Sequence, residues 1–108
     1  MTKFVVEEDF WGLFPNARIG VVVCHNINNF IIDEDKYKEM ILISEKQALK
    51  YLNNEIFSSN EVIKVWREAF QKFKTKKGAR SSIEALLKRV HKGNHLGTIN
   101  PLVDIYNS

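Results

Sequence analysis

The chain has 108 residues, of which 44% are hydrophobic and 27% are charged. These values fit one globular domain with its own core and exclude a disordered chain. Its apolar runs are far shorter than the roughly 20 residues of a membrane-spanning helix, and acidic residues near the N-terminus exclude a signal peptide. We therefore expect a single cytoplasmic domain over residues 1–108, with no membrane partner.

Few side chains form a pattern that catalysis or metal binding requires. The single cysteine, Cys24, cannot form an internal disulfide; it ends an apolar run and has only His25 beside it. We interpret it as a buried structural thiol, with a catalytic nucleophile as the alternative. His91 and His95 have a spacing seen in zinc sites, but Gly93 should end the helix between them. We expect no metal, no cofactor and no catalytic residue.

Three segments near the N-terminus have recognisable patterns. Residues 3–7 are rich in β-branched side chains and predict a short strand. Residues 8–14 place several apolar side chains on one helical face, with Trp11 assigned to the core. Residues 18–25 form a continuous apolar run of strand length, which is typical of a central strand covered on both faces.

Residues 34–53 have the composition of a helix, with Asp33 as its candidate N-cap. The apolar face shifts near Ser44, where Ser44-x-x-Gln47 resembles the start of a second helix. The sequence is compatible with one continuous helix or with two helices that meet at this point.

Two further helices are predicted by capping boxes. Ser58-x-x-Glu61 precedes a helix over residues 59–73, and Ser81-x-x-Glu84 precedes a helix over residues 82–92 that Gly93 ends. The first of these helices is strongly amphipathic. We assign its apolar face to the core, namely Val62, Trp66, Ala69, Phe70 and Phe73.

The charge of the sequence is unevenly distributed. Residues 64–92 carry ten lysines and arginines against two glutamates, a net charge of +8, whereas residues 1–63 carry −4. Cationic side chains that neutralise phosphates release counterions, so a nucleic acid would bind here. A basic face that is only solvated is the alternative, and we expect Trp66 and Phe70 to point away from it. We assign RNA binding to Arg67, Lys72, Lys74, Lys76, Lys77 and Arg80.

Residues 98–107 place polar side chains among apolar ones, which suits the wall of a pocket. The stretches Arg80-Ser-Ser-Ile-Glu-Ala-Leu-Leu-Lys-Arg-Val90 and Ile99-Asn-Pro-Leu-Val-Asp-Ile-Tyr-Asn107 resemble the tRNA-editing domain of the phenylalanyl-tRNA synthetase β subunit, and most closely its free-standing form. Trp66-Arg-Glu-Ala-Phe70 and Pro15-Asn-Ala-Arg-Ile-Gly-Val-Val-Val23 also resemble that family. The resemblance covers the chain from about Phe10 to its end.

The resemblance implies a fold and an activity. The fold is α/β (α+β): the N-terminal half of an editing-domain-like α/β sandwich, with two or more strands and about three to four helices. The activity is hydrolysis of misacylated aminoacyl-tRNA by the full-length form, and the family implies phenylalanine-tRNA ligase activity. By this resemblance Asn107 is a pocket residue that binds substrate, whereas Asn100 and Asp104 hold the same motif in place.

The family's pocket histidine and a later glutamate would follow Ser108. We therefore expect residues 1–108 alone to be inactive as an aminoacyl-tRNA ester hydrolase, and to self-associate or to pair with a complementing chain. The alternative function is a non-catalytic RNA-binding or small-ligand-binding module, or an inactive fragment of the family. In the first reading tRNA is the partner.

Overall fold

A computed structural model describes residues 2–30 and 34–108, and within these residues the regular elements are all helices. The predicted α/β class with two or more strands is therefore wrong, because the described chain is all-helical. None of the described helices is long and apolar enough to cross a bilayer. The α-helices are α1 (Glu8–Leu13), α2 (Glu34–Ala48), α3 (Glu61–Phe70), α4 (Ser82–His91) and α5 (Pro101–Asn107), and short 3-10 helices lie at Leu49–Tyr51 and Phe57–Ser59.

The two predicted strands have no regular structure. Residues 3–7 and 18–25 are not paired with any other described segment, and every side chain from residue 18 to residue 30 is exposed. A β-branched run is stable as a strand only when a neighbouring strand supplies hydrogen bonds and side-chain contacts. Composition alone therefore cannot make residues 18–25 a strand. Cys24, predicted to be buried, is exposed with the rest of this segment.

The short helix α1 forms an aromatic cluster with the residues around it. The ring of Phe10 lies 5.4 Å from that of Trp11 and 5.3 Å from that of Phe14, and Phe14 in turn contacts Phe73 at 6.3 Å. This cluster places α1 beside the residues that follow α3. Trp11, assigned to the core from the sequence, is nevertheless exposed.

Helix α2 is continuous from Glu34 to Ala48, so no break occurs at Ser44. Its sequence consists largely of Glu, Lys, Met, Leu and Ala, which have high helix propensity. This composition explains why the helix continues through Ser44, where the apolar face shifts. The predicted N-cap, Asp33, lies outside the described residues. α2 packs against α4 and α5, and its Ile41 is buried.

One predicted capping box is confirmed in part and the other is wrong. The Ser81 hydroxyl accepts a hydrogen bond from the Glu84 N–H at 3.2 Å, as predicted for the start of α4. Helix α3 starts after Asn60 rather than after Ser58. The buried Asn60 side chain does not cap the helix, because it accepts from the Asn54 N–H at 2.9 Å and donates to the Asn54 carbonyl.

Gly93 ends α4 as predicted. Its φ of 78° is in the left-handed region that glycine adopts without a steric penalty. The Gly93 N–H donates to the Val90 carbonyl at 3.0 Å, and the Asn94 N–H donates to the Arg89 carbonyl at 2.9 Å. These bonds satisfy carbonyls at the end of the helix that would otherwise lack partners.

The core is small. The buried apolar side chains of the described residues are Ile41, Leu52, Ile63, Val90 and Pro101. The radius of gyration is 16.5 Å, larger than the roughly 13 Å expected for a compact domain of this length. The packed part of the chain therefore lies among α2, α3, α4 and α5, and the N-terminal third adds mainly exposed surface.

Candidate nucleic-acid interface and apolar cavity

The segment between α3 and α4, residues 71–81, concentrates positive charge, and we call it the basic loop. Lys74, Lys76 and Lys77 are all exposed. None of these three lysines is in an ion pair within residues 2–30 and 34–108. A turn closed by the bond from the Ala79 N–H to the Lys76 carbonyl at 3.0 Å, with Gly78 at a φ of 82°, holds the end of the loop.

A buried carboxylate ties the basic loop to both helices. The Glu84 side chain is only 4% exposed, and its Oε1 lies 2.7 Å from the Arg67 guanidinium. The Arg67 Nε donates to both Glu84 oxygens, at 3.1 and 3.3 Å, and the Arg80 Nε is 3.5 Å from Oε1. These hydrogen bonds raise the pKa of Arg67 above its ordinary value. Arg67 and Arg80, both assigned to RNA binding, therefore also have a structural partner.

Helix α3 and the basic loop form the sides of an open groove of 510 Å³. Trp66 and Phe70 line this groove with the lysines, so the prediction that they point away from the basic surface is wrong. Trp66 and Phe73 are 42% and 40% exposed, so the assignment of both side chains to the core is also wrong. The groove also contains Arg67, Phe73, Lys74, Lys76, Lys77 and Arg80.

Lys72 is the one predicted RNA-binding residue that does not line this groove. Its Nζ lies 5.4 Å from the centre of the Phe14 ring, in the geometry of a cation–π contact. The structure therefore brings together five of the six predicted cations and places the sixth beside the aromatic cluster of α1.

The motif at the start of α5 is built around two polar side chains. The Asn100 side chain accepts from the Val103 N–H at 2.9 Å and so caps the helix, with Pro101 in its first turn. Asp104 is buried, and its Oδ1 accepts from the Ile99 N–H at 2.8 Å. Helix α5 was missed in the sequence, although an asparagine followed by a proline is a signal for a helix start.

Asn107, at the end of α5, lines a different opening. This cavity of 550 Å³ lies between α2, α4 and α5 and is lined mainly by apolar side chains. Its volume falls in the range of about 300 to 1,000 Å³ that small-molecule pockets occupy. Asn100 and Asp104 do not line it. The residues that surround Asn107 include Tyr51, Val62, Ile83, Leu87, Leu96 and Tyr106.

A second buried carboxylate joins α2 to the segment before α5, and sequence reasoning missed it. Glu45 accepts from the Leu96 N–H at 2.8 Å and lies 3.0 Å from Nδ1 of His95. Burial by itself raises the pKa of Glu45. Its hydrogen bonds to His95 and Leu96 and the nearby positive charges together lower the pKa by more than burial raises it, so the pKa lies below its ordinary value. No local sequence pattern predicts the contact between Glu45 and His95, because the two residues are 50 positions apart in the chain.

Comparison of the chain with protein-family models, with curated proteins and with solved structures finds no significant match to any of them.

Proposed function

We propose that this chain is a cytoplasmic tRNA-binding domain of the kind that edits misacylated tRNA. The observation that carries the proposal is the basic loop, where Lys74, Lys76 and Lys77 are exposed and lack carboxylate partners within the described chain. Unpaired exposed lysines attract a polyanion without first having to break an internal ion pair. The resemblance of residues 80–90 and 99–107 to the phenylalanyl-tRNA synthetase editing domain supports tRNA as that polyanion.

The apolar cavity supports the proposal that the chain also binds the amino acid attached to the tRNA. In this proposal the cavity takes the amino-acid side chain of a misacylated tRNA, with the Asn107 carboxamide as a polar group at its wall. No described residue is assigned as a nucleophile or general base. The second candidate is a non-catalytic module that binds tRNA or a small ligand through the same cavity. Deacylation of a panel of mischarged tRNAs, assayed with residues 1–108 and with any longer form of the protein, separates the two, because the second candidate binds them without turnover in either form.

Replacing Lys74, Lys76 and Lys77 together by alanine is expected to weaken tRNA binding. If each lysine contacts one phosphate, the slope of log K against log salt should become shallower by about two to three units. Fluorescence anisotropy of labelled tRNA between about 50 and 200 mM salt measures this slope.

The matched control replaces Lys3, Lys38 and Lys46 by alanine. These exposed lysines lie near the N-terminus and on α2, outside both the basic loop and the apolar cavity, so the control loses the same net charge. The control should keep most of the parental salt slope. Equal slopes for the parent and for both triple variants would show that the basic loop is only a solvated surface.

The exposed apolar run near the N-terminus supports self-association. Val21, Val22 and Val23 are exposed, Val22 at 88%, and no described segment covers them. Unpaired β-branched segments of this kind pair readily with another chain. We expect concentration-dependent dimers in sedimentation velocity, which Val22→Lys should shift toward monomer. Lys50→Ala is a control outside this run, and a parent protein that stays monomeric at all concentrations contradicts the proposal.

A further inference from the structure

We propose that the groove between α3 and the basic loop binds an unpaired strand of RNA, with Trp66 stacking on a base and the loop lysines contacting phosphates. This inference rests on the proposed tRNA-binding function and names the part of the RNA that the groove takes. It depends on the placement of Trp66, which the amphipathic pattern of α3 assigns to the core and which the structure leaves exposed beside five cations.

Two partly exposed aromatic rings lie in the groove beside lysines. Trp66 and Phe73 are 42% and 40% exposed, and both line the groove that also contains Lys74, Lys76 and Lys77. An exposed aromatic ring alone needs no functional explanation. Rings that lie beside unpaired cations form the arrangement that sequence-independent binders of single strands use, in which bases stack on the rings and cations follow the backbone.

The lining of the groove is strongly positive. The acidic residue among its lining residues is Glu84, and Arg67 and Arg80 already occupy its carboxylate. With five cations and this one acid, the lining residues of the groove carry a formal net charge of 5 − 1 = +4. A bound phosphate would therefore face lysines and no free carboxylate from the lining residues.

The length of α3 limits the length of RNA that the groove can hold. Helix α3 has 10 residues and is thus about 15 Å long. A double-stranded RNA reader of the common type spans roughly 16 base pairs and contacts two successive minor grooves, which is far longer than this helix. The paired bases of a duplex also hide the faces on which Trp66 would stack. A short unpaired segment satisfies both the length and the stacking requirement.

The test uses an oligoadenylate of about ten nucleotides, a length within the range that single-strand sites cover. In a Trp11→Phe background, Trp66 is the sole tryptophan. Titration with the oligoadenylate should quench its emission. Fluorescence anisotropy should show that Trp66→Leu weakens binding by about tenfold. Trp66→Phe, which keeps an aromatic face, should retain most of the affinity, and an RNA duplex of the same length should bind more weakly than the oligoadenylate.

Circular dichroism of Trp66→Leu and Trp66→Phe checks that both variants keep the parental helix content, and only folded variants are compared. Equal affinity of the parent and Trp66→Leu for the oligoadenylate would overturn the inference, as would the absence of quenching. An oligoglutamate peptide is the control for an acidic protein partner. If the parent binds it as tightly as the oligoadenylate, and Trp66→Leu loses the same affinity for both, the inference is overturned in favour of such a partner. Lysine-dependent binding of intact tRNA without binding of the oligoadenylate would also overturn it, while leaving the proposed tRNA-binding function intact. If neither RNA binds, both proposals are wrong.

Discussion

Replacing Ile63 by alanine is expected to lower the free energy of unfolding by about 2 to 5 kcal/mol, the usual range for truncating a buried isoleucine. Ile63 has no exposed surface and lies on α3. Its removal leaves a cavity where α3 meets the rest of the small core. Because few apolar side chains are buried in the described chain, the remaining core has little capacity to compensate. Urea denaturation followed by circular dichroism measures the change.

Val65→Ala is the matched control for Ile63→Ala. Val65 is on the same helix two residues further on, is also β-branched and is 51% exposed. Both substitutions replace a β-branched residue by alanine, so the gain in helix propensity is similar for the two. The control should change the free energy of unfolding by no more than about 0.5 kcal/mol. Equal losses for the two variants would mean that burial does not distinguish the two faces of α3.

Glu84→Gln is expected to destabilise the protein by about 1 to 3 kcal/mol, because it removes charge-assisted hydrogen bonds and leaves Arg67 without its carboxylate. The value should stay below that for a fully buried pair, since the Arg67 and Arg80 side chains are 35% and 47% exposed and can regain water. Glutamine keeps the volume of the side chain, so the effect reports charge rather than packing. Thermal and urea unfolding measure it.

Two comparisons separate the ion pair from a general effect of lost charge. Glu68→Gln removes an exposed carboxylate from α3 and should leave the free energy of unfolding nearly unchanged. A double-mutant cycle of Glu84→Gln with Arg67→Ala should give a coupling energy of at least about 0.5 kcal/mol. A coupling energy near zero would contradict a stabilising contact between the two side chains.

The loop joining α3 to α4 connects these stability predictions to the proposed function. Glu84 holds Arg67, in the last turn of α3, and Arg80, near the end of the basic loop. Lys74, Lys76 and Lys77 lie between these arginines in sequence and have no such partner among the described residues. The arginines thus fix the loop to the helices, and the lysines remain available to a phosphate. The sequence shows all of these cations in one run but does not distinguish the two roles.

Several features follow from the sequence by itself. The helices predicted over residues 34–53, 59–73 and 82–92 are present over residues 34–48, 61–70 and 82–91, so each exists but ends earlier than predicted. They could be predicted because their sequence signals are local. The Ser81 cap and the stop at Gly93 depend on backbone groups three or four residues away. The group of lysines that follows α3 is likewise visible in the sequence, without knowledge of the folded structure.

The tertiary structure alone decided the rest, and in each case the reason is a partner distant in sequence. Residues 18–25 have the composition of a strand, but a strand needs a neighbour that no local pattern supplies. Glu84 and Arg67 are 17 residues apart, and Glu45 and His95 are 50 apart, so neither contact has a sequence signal. Trp66 repeats with the spacing of a core residue, yet helical periodicity shows only which side chains share a face. Whether that face is covered depends on what the rest of the chain places against it, and here the basic loop leaves Trp66 open to solvent.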